Sequence, residues 1–277
     1  MKNQQKRTAL VTGASAGIGL QYAKVLAHNG FDLVLTARRA DRLEALANEL
    51  RQSHNVTVHC FAYDLSQPET PQKLAEDLEQ AGLEIDFLLN NAGYTVPGGF
   101  DMARWDAQAD LLQVMLSAPT KLIHIFGPLM RQRGYGRIVN VASIAGLIPG
   151  VPNGTLYGPI KSYIVKFSQG LFNEYKDYGV HVQALCPGFV YTEFHDVAGN
   201  RAVMDKMPKY WWLDGEAMCQ ESFRQVMENK SPVYVMGGFY KALVYIVNLL
   251  PLKWSMGMLS RQNRNEAPLP QHMRNDT

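Results

Sequence analysis

The chain has 277 residues, which allows one or two domains, and 47% of them are hydrophobic. The formal net charge is only +2 and the charges are interspersed, which argues against a nucleic-acid surface because such surfaces concentrate basic residues. Cys60, Cys186 and Cys219 are too few and too scattered for a disulfide framework or a zinc site, and the seven histidines have no metal-binding spacing.

The stretch 8–20, TALVTGASAGIGL, predicts a short buried strand, a glycine-rich turn and the start of a helix. Glycine at Gly13, Gly17 and Gly19 allows sharp turns and lets a ligand lie against bare main chain. Free N–H groups at the start of the helix favour an anion such as a pyrophosphate. A tight turn without a ligand is the alternative, but the order of strand, turn and helix favours a nucleotide phosphate site.

Apolar strands then alternate with helices of about 10–15 residues. Helices are predicted at 18–28, 38–51 and 69–80, and strands at 31–36, 56–62 and 85–89. This alternation predicts an α/β fold with a doubly wound parallel sheet between two layers of helices. Right-handed crossovers bring the carboxyl ends of the strands to one edge of the sheet, where ligands bind. The loops predicted at that edge are 12–19, 36–39, 63–65 and 90–93.

The middle of the chain predicts two long helices. The first, at 105–133, contains Pro119 and Pro128, which should kink or divide it, and the second lies at 156–178. Strands are predicted at 136–142 and 180–185. No internal repeat or low-complexity linker interrupts the sequence, so residues 1–277 are predicted to form a single domain.

Beyond the sixth strand the composition changes. Residues 195–230 are predicted to be helical, and their Met, Trp and Phe side chains either cover an apolar substrate or pack a helix pair on the core. A last strand is predicted at 232–236, and the polar tail begins after 261. The substrate is therefore expected to be a small apolar molecule.

The apolar segment 239–259 is broken at Pro251 and has three possible roles: packing on the domain, a subunit contact or an interfacial membrane helix. Its few basic residues, Lys241 and Lys253, favour packing or oligomerisation. No signal-like segment follows residues 1–7, and the sequence has no run of about 18 apolar residues. The sequence thus predicts a cytoplasmic protein without a transmembrane segment or a nucleic-acid partner.

Ser143, Tyr157 and Lys161 are the predicted catalytic residues. Tyr157 and Lys161 are four residues apart near the start of a helix, so they share one face. A nearby ammonium is expected to lower the pKa of the phenol from its usual value near 10, which suits a general acid in carbonyl reduction. Ser143 follows the fifth strand, and its hydroxyl is expected to hydrogen-bond the substrate oxygen. A nicotinamide would supply the hydride.

These residues belong to an ordered set of motifs spread over two thirds of the chain. Together they resemble the short-chain dehydrogenase/reductase family over about residues 6–194, with its Tyr-x-x-x-Lys pair and its Rossmann fold. The motifs are Thr12-Gly13-x-x-x-Gly17-Ile18-Gly19, Asp64-Leu65, Asn90-Asn91-Ala92-Gly93, Ser143, Tyr157-x-x-x-Lys161 and Pro187-Gly188-x-x-x-Thr192.

The resemblance implies a role for each matching position. Tyr157 is implied as proton donor or acceptor, and Lys161 as the group that lowers its pKa and binds the nicotinamide ribose. Pairing of subunits through the two long helices is implied too, giving a homodimer or homotetramer. The implied cofactor contacts are Gly13, Ala14, Ser15, Ala16, Gly17 and Ile18 for the phosphates, Asp64 and Leu65 for adenine, Asn91, Ala92 and Gly93 for the ribose and nicotinamide, and Pro187, Gly188, Val190 and Thr192 for the nicotinamide amide.

Two arginines after the second strand indicate NADP(H) rather than NAD(H). Relatives that prefer NAD place an acidic residue at this position, where the present chain has Ala37 followed by Arg38 and Arg39. Guanidinium groups suit a 2′-phosphate because they form charge-assisted, bidentate hydrogen bonds. Two solvated arginines are the alternative, although arginine is unfavourable near a helix N-terminus.

One position departs from the family. The family usually has an asparagine in the long helix before the fifth strand, which helps to hold a line of water from the active-site lysine to solvent. Met115 stands there, and Asn140, in the fifth strand, is not expected to replace it. The leading hypothesis is an NADP(H)-dependent oxidoreductase acting on an apolar ketone or secondary alcohol. The alternatives are an NADP(H)-binding protein with weak or no turnover and an epimerase or dehydratase on the same scaffold.

Overall fold

The computed structural model describes residues 6–96, 99–152, 154–192 and 207–262. Seven strands of this part form one parallel sheet, and they are β1 Thr8–Thr12, β2 Asp32–Ala37, β3 Val58–Ala62, β4 Phe87–Asn90, β5 Gly136–Val141, β6 Val180–Leu185 and β9 Val233–Tyr234. Their order across the sheet is β3-β2-β1-β4-β5-β6-β9. Two short strands, β7 Phe189–Val190 and β8 Trp212–Leu213, pair separately.

Helices cover both faces of the sheet, as the alternating pattern predicts. Along β1, Ala9 and Val11 belong to one buried cluster and Leu10 to another, so successive side chains enter opposite layers. The helices are α1 Gly17–His28, α2 Ala40–Ser53, α3 Thr70–Gln80, α4 Trp105–Leu112, α5 Ala118–Arg133, α6 Tyr157–Tyr175, α7 Gly215–Met227, α8 Gly238–Leu249 and α9 Leu252–Gln262. The predicted three-layer, single-domain α/β fold is confirmed.

The strand order reverses at β1, which lies between β2 and β4. In open parallel sheets the crevice at such a reversal receives the ligand. The glycine turn follows β1, and Asn91 follows β4, so both flank this crevice. The fold therefore brings the motifs of the first half of the chain to one place.

The first long helix differs from the prediction. It is divided by a π-helical segment, Gln113–Ser117, which ends just before Pro119 at the start of α5. Proline is tolerated there because first-turn N–H groups have no intrahelical acceptor. Pro128 lies inside α5, and the helix continues to Arg133. The division thus occurs at a π segment, a feature often found at functional sites, and it contains Met115.

The second half follows the predicted order with small changes of boundary. The helix predicted at 156–178 ends at Tyr175 and continues as a short 3₁₀ turn, Lys176–Tyr178. The predicted last strand is only β9, and the apolar segment after it is split by Pro251 into α8 and α9. Of the covering region predicted at 195–230, residues 195–206 lie outside the described part. None of the helices in that part is long and apolar enough to cross a membrane.

Candidate active site

Ser143 is held against α6 by close main-chain packing. It follows β5 and leads into a 3₁₀ turn, Ile144–Gly146, where its Oγ accepts a 3.1 Å bond from the N–H of Ala145. A Cβ on Gly146 would lie 2.5 Å from the carbonyl carbon of Lys161, so the turn packs directly on the helix. Ser162 Oγ also donates to the Gly146 carbonyl, at 2.9 Å. This packing brings together Ser143 and the Tyr157–Lys161 pair.

The phenol of Tyr157 is partly buried beside Ser143. Burial raises the pKa of Tyr157 to about 12, and a hydrogen bond with the Ser143 side chain opposes this rise. The sequence argument predicted the opposite direction, a pKa lowered by the Lys161 ammonium. Desolvation is the larger effect in the structure, because it disfavours the charged phenolate. Tyr157 is therefore a neutral hydroxyl at physiological pH.

Lys161 is a buried lysine whose side chain ends at the carboxyl edge of the sheet. It is 5% exposed, and its Nζ donates a 2.6 Å hydrogen bond to the carbonyl of Val141. Its Nζ lies 5.5 Å from the centre of the Tyr157 ring. Burial lowers the pKa of Lys161 to about 8. The amine is thus still mainly protonated at neutral pH, close to the phenol but bonded to main chain.

The glycine turn forms a cradle at the start of α1. Gly13 and Gly17 have φ angles of 67° and 57°, in the left-handed region, and a Cβ on Gly13 would lie 2.8 Å from Cα of Ala92. The N–H groups of Gly13 and Ala14 donate to the Thr36 carbonyl, so they are already used. The donors available to an anion are therefore those of Ser15 and the first turn of α1, whose N-cap residue Ala16 makes no side-chain capping bond.

A guanidinium lies against this cradle. Nε and Nη2 of Arg39 are 3.3 and 3.1 Å from Ser15 Oγ. Arg38 is exposed, and its charge acts on Tyr94 together with that of Asp64. Two cations thus stand at the end of β2, beside the glycine turn. The bare main chain, the helix N-terminus and the guanidinium groups fit the phosphates of a dinucleotide.

Asn91 supports the turn from β4. Its Nδ2 donates to the carbonyls of Thr12 and Gly13, at 3.0 and 3.2 Å, and its own N–H bonds Thr12 Oγ1 at 2.9 Å. Because the side-chain and main-chain N–H groups of Asn91 make these bonds within the protein, Asn91 holds the glycine turn in position. Ala92 and Gly93 follow it at the crevice, partly exposed and exposed respectively.

The Asp64-Leu65 motif divides into a polar and a buried part. Asp64 Oδ1 accepts from the N–H of Ser66 at 3.0 Å, which orders the turn after β3. Leu65 is buried in the core cluster around Met115. The Asp64 carboxylate is therefore the polar side chain that this motif presents at the crevice.

The Pro-Gly segment after β6 faces the glycine turn. The Pro187 carbonyl accepts from the N–H of Ile144 at 2.9 Å, which joins the segment to the Ser143 turn. Val190 is buried in β7, and Thr192 lies 3.3 Å from where a Cβ on Gly17 would stand. A Cβ on Gly188 would overlap the ring of Tyr240. The crevice thus has the cradle on one side and this segment on the other.

Comparison with known proteins agrees with this geometry. The sequence profile described as short chain dehydrogenase matches residues 7–201. The chain belongs to the short-chain dehydrogenase family. It is 34% identical over 202 residues to the very-long-chain 3-oxoacyl-CoA reductase of Homo sapiens, a match that covers 72% of this chain and 63% of that protein. The chain thus matches less than two thirds of the length of that relative.

Two solved structures are similar over nearly the whole chain. A short-chain dehydrogenase from Sphingobium yanoikuyae in complex with NADPH has a TM-score of 0.76 and 29% identity, covering 96% of this chain and 99% of that one. The bulky-bulky ketone specific alcohol dehydrogenase from Comamonas testosteroni has a TM-score of 0.73 and 27% identity, covering 95% and 97%. The overall fold is therefore shared with these two dehydrogenases.

Within this short-chain dehydrogenase, Met115 fills the position next to Gly93. Its side chain is 2% exposed, and its Cγ and Sδ lie 3.3 Å from where a Cβ on Gly93 would stand. Met115 also lines a small cavity of about 20 Å³, together with Lys161 and Asn140. That volume is enough for one water molecule.

The cavity also contains a polar group that the sequence argument missed. Asn90 Nδ2 donates to Asn140 Oδ1 at 2.8 Å, and Asn140 Nδ2 donates to Ser168 Oγ at 2.9 Å. Asn90 Oδ1 is buried and has no partner among the described residues. The sequence argument did not expect Asn140 to replace the missing asparagine because of its place in the strand, yet its side chain lines the same cavity as Lys161. The repeated asparagine of the Asn90-Asn91 pair was the signal available in the sequence.

Proposed function

We propose that this short-chain dehydrogenase is an NADP(H)-dependent reductase that converts an apolar ketone into a secondary alcohol, with Tyr157 as general acid. The observation that carries the proposal is the neutral Tyr157 hydroxyl, hydrogen-bonded to Ser143 at the sheet edge where the glycine cradle opens. A pKa of about 12 means that the phenol holds its proton at neutral pH. A group that holds a proton beside a polarised carbonyl is suited to donate it.

The roles follow from the positions of the three side chains. A nicotinamide held by the cradle and the Pro-Gly segment would supply the hydride that reduces the carbonyl carbon. Ser143 and Tyr157 hydrogen-bond the carbonyl oxygen, and Tyr157 transfers its proton to that oxygen as the alcohol forms. The protonated amine of Lys161, 5.5 Å from the ring centre, stabilises the phenolate that remains. Tyr157 then regains a proton from solvent.

The preference for NADP(H) is supported by Arg39. Its guanidinium is bonded to Ser15 of the cradle, so a cation is already oriented beside the expected ribose. The 2′-phosphate of NADP would accept charge-assisted bonds from it. The similar structure from Sphingobium yanoikuyae holds NADPH, which agrees with this assignment.

An apolar substrate is supported by an aromatic cluster that includes Phe189, the residue directly after the Pro-Gly segment. The Trp211 ring centre lies 5.9 Å from that of Phe189 and 5.2 Å from that of Phe239. Apolar and aromatic surface with a few polar groups is the usual lining of a small-molecule site. The names of the relatives, a bulky ketone dehydrogenase and a very-long-chain 3-oxoacyl-CoA reductase, refer to carbonyl compounds with large apolar parts.

A second candidate is an NADP(H)-binding protein with weak turnover. It is favoured by Met115, whose thioether has no hydrogen atom to donate and binds water weakly as an acceptor. Because Met115 lines the cavity next to Lys161, it weakens any water-mediated route for the proton that Tyr157 must regain.

A ketone panel separates these candidates. Purified protein is incubated with NADPH and ketones of increasing apolar size at neutral pH, and NADPH oxidation is recorded. Tyr157→Phe is expected to lower the rate about 10²–10⁴-fold while NADPH binding is kept. The exposed Tyr178→Phe is the matched control. NADPH binding without oxidation on any ketone would support the second candidate, and net oxidation would exclude an epimerase. Absence of NADPH binding would overturn both candidates.

A further inference from the structure

The outer face of α8 is apolar and exposed. Ala242, Tyr245, Ile246 and Leu249 are all exposed, and their spacing of three and four residues puts them on one side of the helix. The opposite side carries Val247 and Tyr240, which are buried. The helix is thus apolar on both its inner and its outer face.

The helix α9 extends this exposed apolar surface. Leu252 and Trp254 are 64% and 70% exposed, while Ser255 and Leu259 face the protein and are buried. We call the exposed residues Tyr245, Ile246, Leu249, Leu252 and Trp254 the C-terminal patch. Proteins that act alone in water rarely expose contiguous apolar patches of this kind, so a partner surface is expected.

The charged residues of the segment around the patch are all basic. Residues 229–265 contain five Lys or Arg residues and no Asp or Glu. The whole chain has 27 basic and 25 acidic residues, so acidic residues outnumber basic ones in the remainder. Within 239–259 the two lysines alone favoured packing or oligomerisation over an interfacial helix, but the structure exposes both Lys241 and Lys253 on the helices that carry the patch, and no acidic residue of 229–265 offsets them.

We propose that the C-terminal patch is a docking surface for an anionic phospholipid bilayer. The helices would lie in the interface, with the patch inserted among the headgroups and upper acyl chains, and the basic side chains would pair with lipid phosphates. Trp and Tyr are the aromatic residues preferred at this depth, because their rings are apolar with one polar atom. This proposal does not depend on the reductase activity.

A second copy of the chain fits the patch less well. In a twofold interface the same surface meets itself, so the positive charges of the segment that carries the patch would be doubled there. No carboxylate in 229–265 is available to neutralise them. An anionic bilayer supplies that negative charge throughout the surface.

The patch is joined to the active site by polar contacts of α8. Asn248 Nδ2 donates to the Leu147 carbonyl at 2.7 Å, directly after the Ser143 turn. The Tyr240 hydroxyl accepts from the N–H of Phe189 at 3.0 Å and donates to the Trp211 carbonyl at 2.5 Å. A bilayer on the patch would therefore lie beside the loops that flank the catalytic edge, so that an apolar molecule dissolved in lipid would be close to the site.

Vesicle cosedimentation of the full chain tests the proposal without substrate or cofactor. Vesicles of phosphatidylcholine alone are compared with vesicles of phosphatidylcholine mixed with phosphatidylglycerol. Wild-type protein is expected to sediment with the anionic vesicles and to be released by high salt. Ile246→Gln with Trp254→Gln is expected to lower the partition coefficient at least about tenfold, because two apolar side chains no longer insert. Lys241→Gln with Lys253→Gln should lower it about fivefold for each lysine.

Trp105→Gln is the matched control, since Trp105 is 66% exposed on α4, against 70% for Trp254. This variant is expected to bind vesicles like the wild type. Blue-shifted tryptophan fluorescence that depends on Trp254 would add support. The proposal is overturned if wild-type protein stays in the supernatant with anionic vesicles. It is equally overturned if the patch variant converts a wild-type dimer to a monomer on size-exclusion chromatography while vesicle binding is unchanged.

Discussion

The amine of Lys161 donates a 2.6 Å hydrogen bond to the main-chain carbonyl of Val141 inside the protein, and burial lowers the pKa of that amine. A buried cation held in this way costs stability, because desolvation is only partly offset by one neutral acceptor. Lys161 is therefore a residue whose replacement we expect to raise stability at the expense of activity.

We therefore expect Lys161→Met to stabilise the protein and abolish activity. Burial lowers the pKa of Lys161 in the folded protein from its usual value of 10.5 to about 8, so protonation favours the unfolded state. The resulting loss in the free energy of unfolding is complete below pH 8, where the amine is protonated in both states, and it disappears as the pH rises toward 10.5. Urea unfolding should show a gain of the order of 2 kcal/mol at pH 7 that shrinks at alkaline pH. The exposed Lys166→Met on the same helix is the control, and an equal gain there would contradict this explanation.

Replacement of Arg39 tests cofactor choice. Arg39→Gln removes the guanidinium that bonds Ser15, and we expect the Kd for NADPH to rise about tenfold or more, since a hydrogen bond to a charged group is lost. The Kd for NADH should change little, because NADH has no 2′-phosphate. Arg42→Gln, on the exposed side of the same helix, serves as the control. Titration by fluorescence measures both constants, and an equal loss for both cofactors would refute the role of Arg39.

Replacement of Met115 tests the route for the proton. Met115→Asn adds a polar side chain to the cavity that contains Lys161 and the unpartnered Asn90 Oδ1. If proton return limits turnover, kcat for ketone reduction should rise about tenfold. Met115→Leu keeps an apolar side chain of similar volume and should give no gain. An unchanged kcat in the asparagine variant would show that another step is limiting.

Replacement of Gly146 tests the packing that brings the candidate catalytic residues together. In Gly146→Ala the new Cβ would lie 2.5 Å from the Lys161 main chain, so the Ser143 turn must move away from α6. We expect a loss of about 1–3 kcal/mol in the free energy of unfolding and a lower kcat. Gly150→Ala, where nothing lies within 4 Å, is the control and should be neutral. Thermal unfolding and NADPH oxidation measure the two effects, and a stable, active Gly146→Ala would show that the contact is unimportant.

Local patterns in the sequence were sufficient for the layered fold. Strand residues such as Leu10 and Leu88 lie in runs that are buried on both faces, and the glycine turn after Thr12 marks the first crossover. Backbone periodicity and turn chemistry act over a few residues, so they can be recognised without knowing what packs against them. The place of Ser143, Tyr157 and Lys161 at one edge follows from the direction of parallel strands.

The energetics of the site were decided by tertiary structure alone. The raised pKa of Tyr157 and the lowered pKa of Lys161 come from burial among segments far apart in the chain, which spacing on one helix does not reveal. The pairing of Asn90 with Asn140 joins residues 50 positions apart, and the exposure of Trp254 depends on which face of α9 meets the protein. Desolvation and long-range contacts are properties of the assembled molecule, so the sequence named the candidate reacting groups, and the fold determined the pKa values of Tyr157 and Lys161.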